Sequence, residues 1–188
     1  MRASASFRTP SSPVEAFVAL GTNVGDRLLN LGEARRRLAR LGTLRRGPVV
    51  ETAAVLPPGD RTPQPPYLNA VDGLQTWLSP EALHAALKGI ERAMGRAPST
   101  RWAPRVIDLD LVLHGSAVRD TSTLVVPHPR MHQRVFVLGP LVALAPGAMH
   151  PVLGRTAREL LAELETKAPS PLERGEGRGE GLEGDSSR

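Results

Sequence analysis

The chain has 188 residues, 24 Lys+Arg against 19 Asp+Glu for a formal net charge of +5, and 40% hydrophobic residues; that length suits one domain of roughly 100–200 residues. Cys is absent, which excludes disulfide scaffolds, zinc ribbons and thiol catalysis and fits a reducing, cytoplasmic setting. Aromatic residues are only 3%, which argues against stacking platforms for single-stranded nucleic acid, while the basic balance asks for an anionic partner.

Residues 1–15 carry Arg and Ser, no acid before Glu15, and nothing like the apolar centre of a secretory signal. A disordered extension is expected there; an organellar transit peptide is the other reading of such a start. No apolar run nears the roughly 18–20 residues that span a bilayer. Residues 17–20 read as a strand that runs into the turn-forming Gly21-Thr22-Asn23-Val24-Gly25. Asp26 can cap a helix whose Leu28, Leu31, Leu38 and Leu41 are expected on one face.

Residues 49–55 read as a second strand. Pro57, Pro58, Pro63, Pro65 and Pro66 then crowd around Gly59, so 56–66 is expected to be a long exposed loop of the kind that serves as a lid. Residues 67–76 return to extended structure. Ser79-Pro80 supplies an N-cap and a first-turn proline. Leu83, Leu87, Ile90 and Met94 form one helical stripe ended by Gly95. After a loop over 96–104, residues 106–113 predict a strand, 133 or 134 to 145 a helix with Pro140 as a kink or restart, and Thr156 with Glu159 a capping box opening a last helix. The order βαββαβ followed by helices predicts an α+β fold, a ferredoxin-like antiparallel sheet with helices packed on it. Residues 167–188 hold four basic and five acidic side chains among repeated glycines, too few apolar groups to offset ordering, and are expected to be disordered. The domain is therefore set at 16–166.

Chemistry concentrates in Arg101-Trp102-Ala103-Pro104-Arg105-Val106-Ile107-Asp108-Leu109-Asp110. Alternation on a strand puts Asp108 and Asp110 on one face, about 7 Å apart, with Ile107, Leu109, Leu111 and Leu113 on the other. Paired carboxylates repel unless a cation stands between them, and hard oxygen donors suit Mg²⁺ that also takes ligands from phosphate. A solvated strand face is the plain alternative for Asp-x-Asp. Arg96, Arg101 and Arg105 nearby favour a metal–phosphate site, because guanidinium forks match phosphate oxygens. Val126-Pro127-His128-Pro129-Arg130 fixes a His in a run that continues to His132 and Arg134.

Together these segments resemble the 6-hydroxymethyl-7,8-dihydropterin pyrophosphokinase family. The specific match is the Arg101-Trp102 to Asp108-x-Asp110 stretch. Collinear with it are Ala19-Leu20-Gly21-Thr22-Asn23 with Gly25-Asp26, Tyr67-Leu68-Asn69-Ala70, Ile90-Glu91 with Gly95-Arg96, and Val126 to Met131. The resemblance implies transfer of pyrophosphate from ATP to the hydroxymethyl group of the pterin, releasing AMP, in folate biosynthesis. It implies two Mg²⁺ ions on Asp108 and Asp110, with Arg96 and Arg105 assisting transfer. His128 and Arg134 would contact phosphate, and Glu91, Trp102 and Leu111 would lie near the nucleotide. Tyr67 and Phe136 would flank the pterin, with Asn69 and the Thr52–Val55 segment at its edge. The loops 21–25, 56–66 and 96–103 would be the family's mobile active-site loops. Pro98, Ala103 and Ala53-Ala54 depart from the family pattern. The implied partners are the pterin and ATP alone, with no nucleic acid or membrane, acting on a monomer.

Two rivals share these residues. A basic nucleic-acid-binding module on the same scaffold would use Arg35-Arg36-Arg37, although the aromatic strand positions that stack on RNA are lacking. A metal-dependent nuclease would use the two aspartates but leaves Tyr67-x-Asn69 and the Pro-His-Pro turn without a task. No Walker A pattern is present, so ATP would not be held by a P-loop.

Overall fold

The computed structural model describes residues 11–56, 59, 62–96 and 103–167. The tail expected over 167–188 lies outside these beyond Lys167, as do residues 1–10. A central antiparallel sheet is built from β1 (Val14–Thr22), β2 (Thr43–Arg45), β3 (Val49–Thr52), β4 (Tyr67–Thr76) and β5 (Asp108–His114). Its order is β2-β4-β1-β5, with β3 also pairing with β4. With β2 and β3 taken as two halves of one edge, this is consistent with the ferredoxin-like arrangement. β1 begins at Val14, two residues before the expected start of the domain.

Period-two alternation in β1 sends Ala16, Val18 and Leu20 to one core and Phe17 to another. The first core is closed by α1 (Arg27–Leu38) and α2 (Pro80–Ala93). Ser79 caps α2 by accepting from the Ala82 N–H at 3.2 Å. Leu83 and Leu87 from its apolar stripe are fully buried, each contributing about 1.5–3 kcal/mol. Asp26 caps α1 as expected, taking the Leu29 N–H at 3.0 Å. The expected stripe on α1 is corrected: Leu31, Ala34 and Leu38 are buried, whereas Leu28 is 69% exposed. Leu28 lies about 60° round the helix from Leu31, given 100° per residue, and sits in the first turn beyond the packed layer.

The expected strand over 49–55 is also revised. It stops at Thr52, and β2 precedes it, separated by Arg46-Gly47-Pro48. An ion pair sits at this break. Asp72 of β4 is fully buried and accepts from Arg35 Nε at 2.9 Å, Arg35 Nη2 at 2.8 Å and the Gly47 N–H at 2.9 Å. Arg35 Nη2 also donates to the Gly47 carbonyl at 2.8 Å. A Cβ at Gly47 would stand 2.1 Å from the Val71 carbonyl oxygen, so only glycine lets the edge fold in this closely.

The second core packs under α3 (Val135–Leu144) and α4 (Ala157–Lys167). β5 serves both cores, and a bulge decides where its last residues go. Phe17 faces Leu113 and Val18 faces Leu111, which leaves Val112 as the extra residue. Leu113 therefore joins the second core with Phe17, not the first with Leu109 and Leu111 as simple alternation expected. Two short hairpins follow: β6 (Arg119–Asp120) with β7 (Val125–Val126), and β8 (Met149–His150) with β9 (Arg155–Thr156). Thr156 and Glu159 form the capping box at α4, Oγ1 to Oε2 2.7 Å and the returning Glu159 N–H 3.3 Å. Among the described residues no helix is long and apolar enough to cross a membrane.

Candidate active site

The end of β1, the end of β3 and the starts of β4 and β5 meet at one end of the sheet. There they floor a cleft of about 460 Å³. One cross-strand row carries the floor: Asn69, Gly21 and Asp108 are direct neighbours on β4, β1 and β5. Gly21 keeps the middle low. A Cβ there would meet Asn69 Oδ1 at 3.3 Å and Tyr67 Cδ1 at 3.7 Å. One row deeper Ala19 lies opposite Asp110, again a small side chain beside a carboxylate.

Tyr67, Asn69, Thr52, Val55 and Phe136 line one part of the cleft. Asn69 is nearly buried and donates through Nδ2 to Thr52 Oγ1 at 2.8 Å, which fixes its amide orientation. Burial raises the Tyr67 pKa above its ordinary value against the opposing pull of Arg105, so the ring is neutral. The Arg134 guanidinium lies 5.6 Å from the Phe136 ring centroid. Pro140 lies inside α3 and leaves the helix unbroken, but it withholds the N–H that would otherwise bond the Phe136 carbonyl.

On the other side sit the charges. Asp108 accepts from Arg96 Nη1 at 2.6 Å and Arg105 Nη1 at 2.6 Å, one on each oxygen. Burial pushes its carboxyl up, but Arg105, Arg96 and Lys88 outweigh burial and hold it below the usual range. Burial likewise lowers Arg96, and Asp108 and Glu91 more than restore it. Arg105 reaches Asp108 because β5 starts at Asp108, which leaves Arg105 in the preceding loop and free of strand alternation. Asn23, almost wholly buried, clamps that loop: its Oδ1 accepts from the Arg105 N–H at 2.8 Å and its N–H donates to the Arg105 carbonyl at 3.0 Å. Its Nδ2 also holds the Pro65 carbonyl at 3.3 Å, so one side chain ties two loops.

His128 Nε2 stands 4.0 Å from Asp110 Oδ2. The His128 N–H donates to the Val112 carbonyl at 2.9 Å, so the extra residue of the bulge is what seats the Pro-His-Pro turn. Burial holds the His128 pKa below its ordinary value, Asp110 opposing and Arg134 reinforcing. Glu91 is buried behind the floor, accepts from the Leu109 N–H at 2.7 Å and pairs with Arg96. Leu111 lines a smaller recess of about 170 Å³ beside Asp110, with His84, Thr123, Leu124, Val125, His128 and Pro129. Trp102 lies outside the described residues.

The structure thus brings together Thr52, Val55, Tyr67, Asn69, Arg105, Asp108, Asp110, His128, Arg134 and Phe136 around one cleft. Arg96 joins them through Asp108, and Glu91 through Arg96. Sequence reasoning passed over Lys88, Arg130 and Gln133 as site residues. Arg130 and Gln133 lay in motifs already singled out, while Lys88 carried no signal beyond its helical spacing from Glu91.

Among the described residues no three His, Asp or Glu side chains gather into a complete metal cage. Two carboxylates on one strand face are nonetheless the donor set that Mg²⁺ uses when water and phosphate fill the rest of its shell. The residues fit that ion.

His84, His128 and His150 are each held below the ordinary histidine pKa, chiefly by burial. The unfolded chain takes up these protons near pH 6.5 while the folded chain resists until lower pH. Melting temperature is therefore expected to be flat above pH 7 and to fall as pH drops below about 6.5. His150→Gln should flatten that fall in thermal melts run from pH 8 to 5. A melting temperature that climbs on acidification through this window would mean that the folded protein prefers these histidines charged.

Residues 17–146 match the model of the family described as 7,8-dihydro-6-hydroxymethylpterin-pyrophosphokinase (HPPK). The chain is 39% identical over 161 residues to a 2-amino-4-hydroxy-6-hydroxymethyldihydropteridine pyrophosphokinase of Methylorubrum extorquens, covering 85% of this chain and 97% of that one. It is 41% identical over 152 residues to the protein of the same name from Pseudomonas aeruginosa, covering 78% and 89%. In fold it resembles a crystal structure of Plasmodium falciparum HPPK-DHPS with pteroate, TM-score 0.62 at 14% identity, covering 81% of this chain and 44% of the longer one.

Proposed function

The chain belongs to the 7,8-dihydro-6-hydroxymethylpterin-pyrophosphokinase family, and from that premise we propose how its cleft divides the work. The reaction moves pyrophosphate from ATP to hydroxymethyldihydropterin in folate synthesis and leaves AMP. The observation that carries the assignment of roles is the single row Asn69–Gly21–Asp108, which sets an amide for a flat heterocycle beside a carboxylate for metal and phosphate.

Tyr67 and Phe136 sandwich the pterin ring, while Asn69, with Thr52 fixing its amide, and the chain to Val55 read the ring edge. Asp108 and Asp110 hold two Mg²⁺ ions, which supply neutralisation of the triphosphate charge when bound. Arg96 and Arg105, now seated on Asp108, exchange that partner for phosphate oxygens and steady the charge of the transferring group. His128 and Arg134 contact the triphosphate from the Pro-His-Pro side. Glu91, Trp102 and Leu111 border the nucleotide. Transfer of this type needs chiefly positioning and charge compensation, and a cleft lined by fixed cations and paired acids provides both. The catalytic body, expected over 16–166, extends over 14–167 from β1 to α4 and works as a cytoplasmic monomer on two small molecules. The basic nucleic-acid-binding reading gains no support from the family match.

Arg105→Ala tests the division directly. AMP release from ATP and the pterin should fall by about 10²-fold or more, as for loss of a transition-state charge donor, while pterin affinity changes much less. Lys at 105 should rescue in part, being a point charge and not a planar fork. Full turnover in Arg105→Ala, measured as AMP formed per enzyme, would move the catalytic charge to Arg96 or Arg134. ADP in place of AMP would overturn the reaction itself.

A further inference from the structure

Lys88 stands on α2 at the back of the charged side of the cleft, and nothing in the division of roles above uses it. Its ammonium donates to Glu91 Oε1 at 2.9 Å and to the Leu109 carbonyl at 2.8 Å, and reaches Asp110 Oδ1 at 3.4 Å. The first two acceptors are fixed. Glu91 is buried and is itself bonded to the Leu109 N–H, and the Leu109 carbonyl belongs to the β5 backbone. The third contact is the loosest of the three. The ammonium can give up Asp110 without losing its anchors, and it cannot leave the neighbourhood while Glu91 holds it.

We propose that Lys88 is a built-in counter-cation of Asp110 that makes divalent-metal binding depend on nucleotide. Before substrates arrive it neutralises Asp110, as Arg96 and Arg105 neutralise Asp108. A divalent cation arriving alone at Asp110 must displace this contact and then sit close to a tethered positive charge. A cation arriving with a triphosphate brings several negative charges that offset the ammonium. His128 stands farther from Asp110, with Nε2 4.0 Å from Oδ2 against 3.4 Å for the ammonium. Lys88 thus acts as a positioning residue through Asp110, without touching the reacting atoms.

The inference rests on the reading that Asp110 holds metal, and the test separates the two. Mn²⁺ binding to the full chain is measured by electron paramagnetic resonance, with and without a nonhydrolysable ATP analogue, for wild type, K88Q, K88R and D110N. K88Q should bind Mn²⁺ alone about tenfold more tightly than wild type and shrink the gain that the nucleotide analogue brings. K88R, which keeps the charge, should bind Mn²⁺ alone as weakly as wild type. Should K88Q fail to fold in a thermal melt, K88M makes the same comparison. Unchanged Mn²⁺ affinity in a folded uncharged variant, with D110N weakened, overturns the role of Lys88 and leaves the metal site standing. Unchanged affinity in D110N overturns the metal reading, and the proposal with it.

Discussion

Asp108→Ala is expected to lower AMP release by at least about 10²–10³-fold, the range for removing one preorganised charge-stabilising group. The structure adds a cost in stability. Asp108 accepts both Arg96 and Arg105, so its removal leaves two guanidiniums side by side with one carboxylate fewer. From sequence alone, two acids that repel each other without metal imply instead that removing one should destabilise the protein little. Breaking a charged hydrogen-bond set of this kind costs about 1–3 kcal/mol. Asp108→Asn, which keeps the shape, should lose the same activity and less stability. Urea unfolding of both variants beside wild type, with AMP release measured on the same samples, checks the two halves together. A variant with normal Mg²⁺-dependent turnover would remove Asp108 from the metal site.

Asp72→Ala should be the most destabilising single change away from the cleft, at about 3–5 kcal/mol for breaking a buried ion pair from one side. It leaves Arg35 mostly buried without its carboxylate and takes the acceptor from the Gly47 N–H. The pair sits where the edge of the sheet passes from β2 to β3, so its loss should loosen β3 and with it Thr52. Replacing both partners by apolar residues, Arg35→Met with Asp72→Leu, should recover most of the loss, because no charge then remains buried. Guanidinium denaturation of the single and double variants decides the matter. A single variant within 1 kcal/mol of wild type would show that water already screens the pair.

Much of this architecture could be read from residue order. The N-caps Asp26 and Ser79, the stripe from Leu83 to Met94 and the Thr156–Glu159 box are local signals, and each lies where local chemistry puts it. What escaped was non-local. Arg35 looked like one of three surface arginines, because its partner Asp72 is 37 residues away and strand pattern alone gives an acid no reason to be buried. The β2–β3 break depends on that pair as well as on Gly47 and Pro48, and the pair left no mark in the local sequence. The bulge at Val112 exists only relative to β1, so alternation misassigned Leu113. Among site residues, Asp108, Asp110 and Arg105 stood out because they share one short segment. Asn23 stood only as one letter of a longer motif and Lys88 only at helical spacing from Glu91, since their contacts to Arg105, Leu109 and Asp110 come from other elements.

The small residues of β1 turn the sheet into a ruler. Asn69 and Asp108 lie on strands two positions apart, and hydrogen-bonded strands keep a spacing of about 4.7–4.9 Å. The backbone interval between Asn69 and Asp108 is therefore set at about 10 Å by strand pairing, and Gly21 between them leaves the space into which the Asn69 amide leans. Loops over the cleft can tighten, loosen or change sequence, and that interval stays the same. A relative that needed a longer or shorter acceptor could not stretch the gap a little. It would have to change strand register, which moves every side chain to the opposite face, or shift its chemistry by a whole strand.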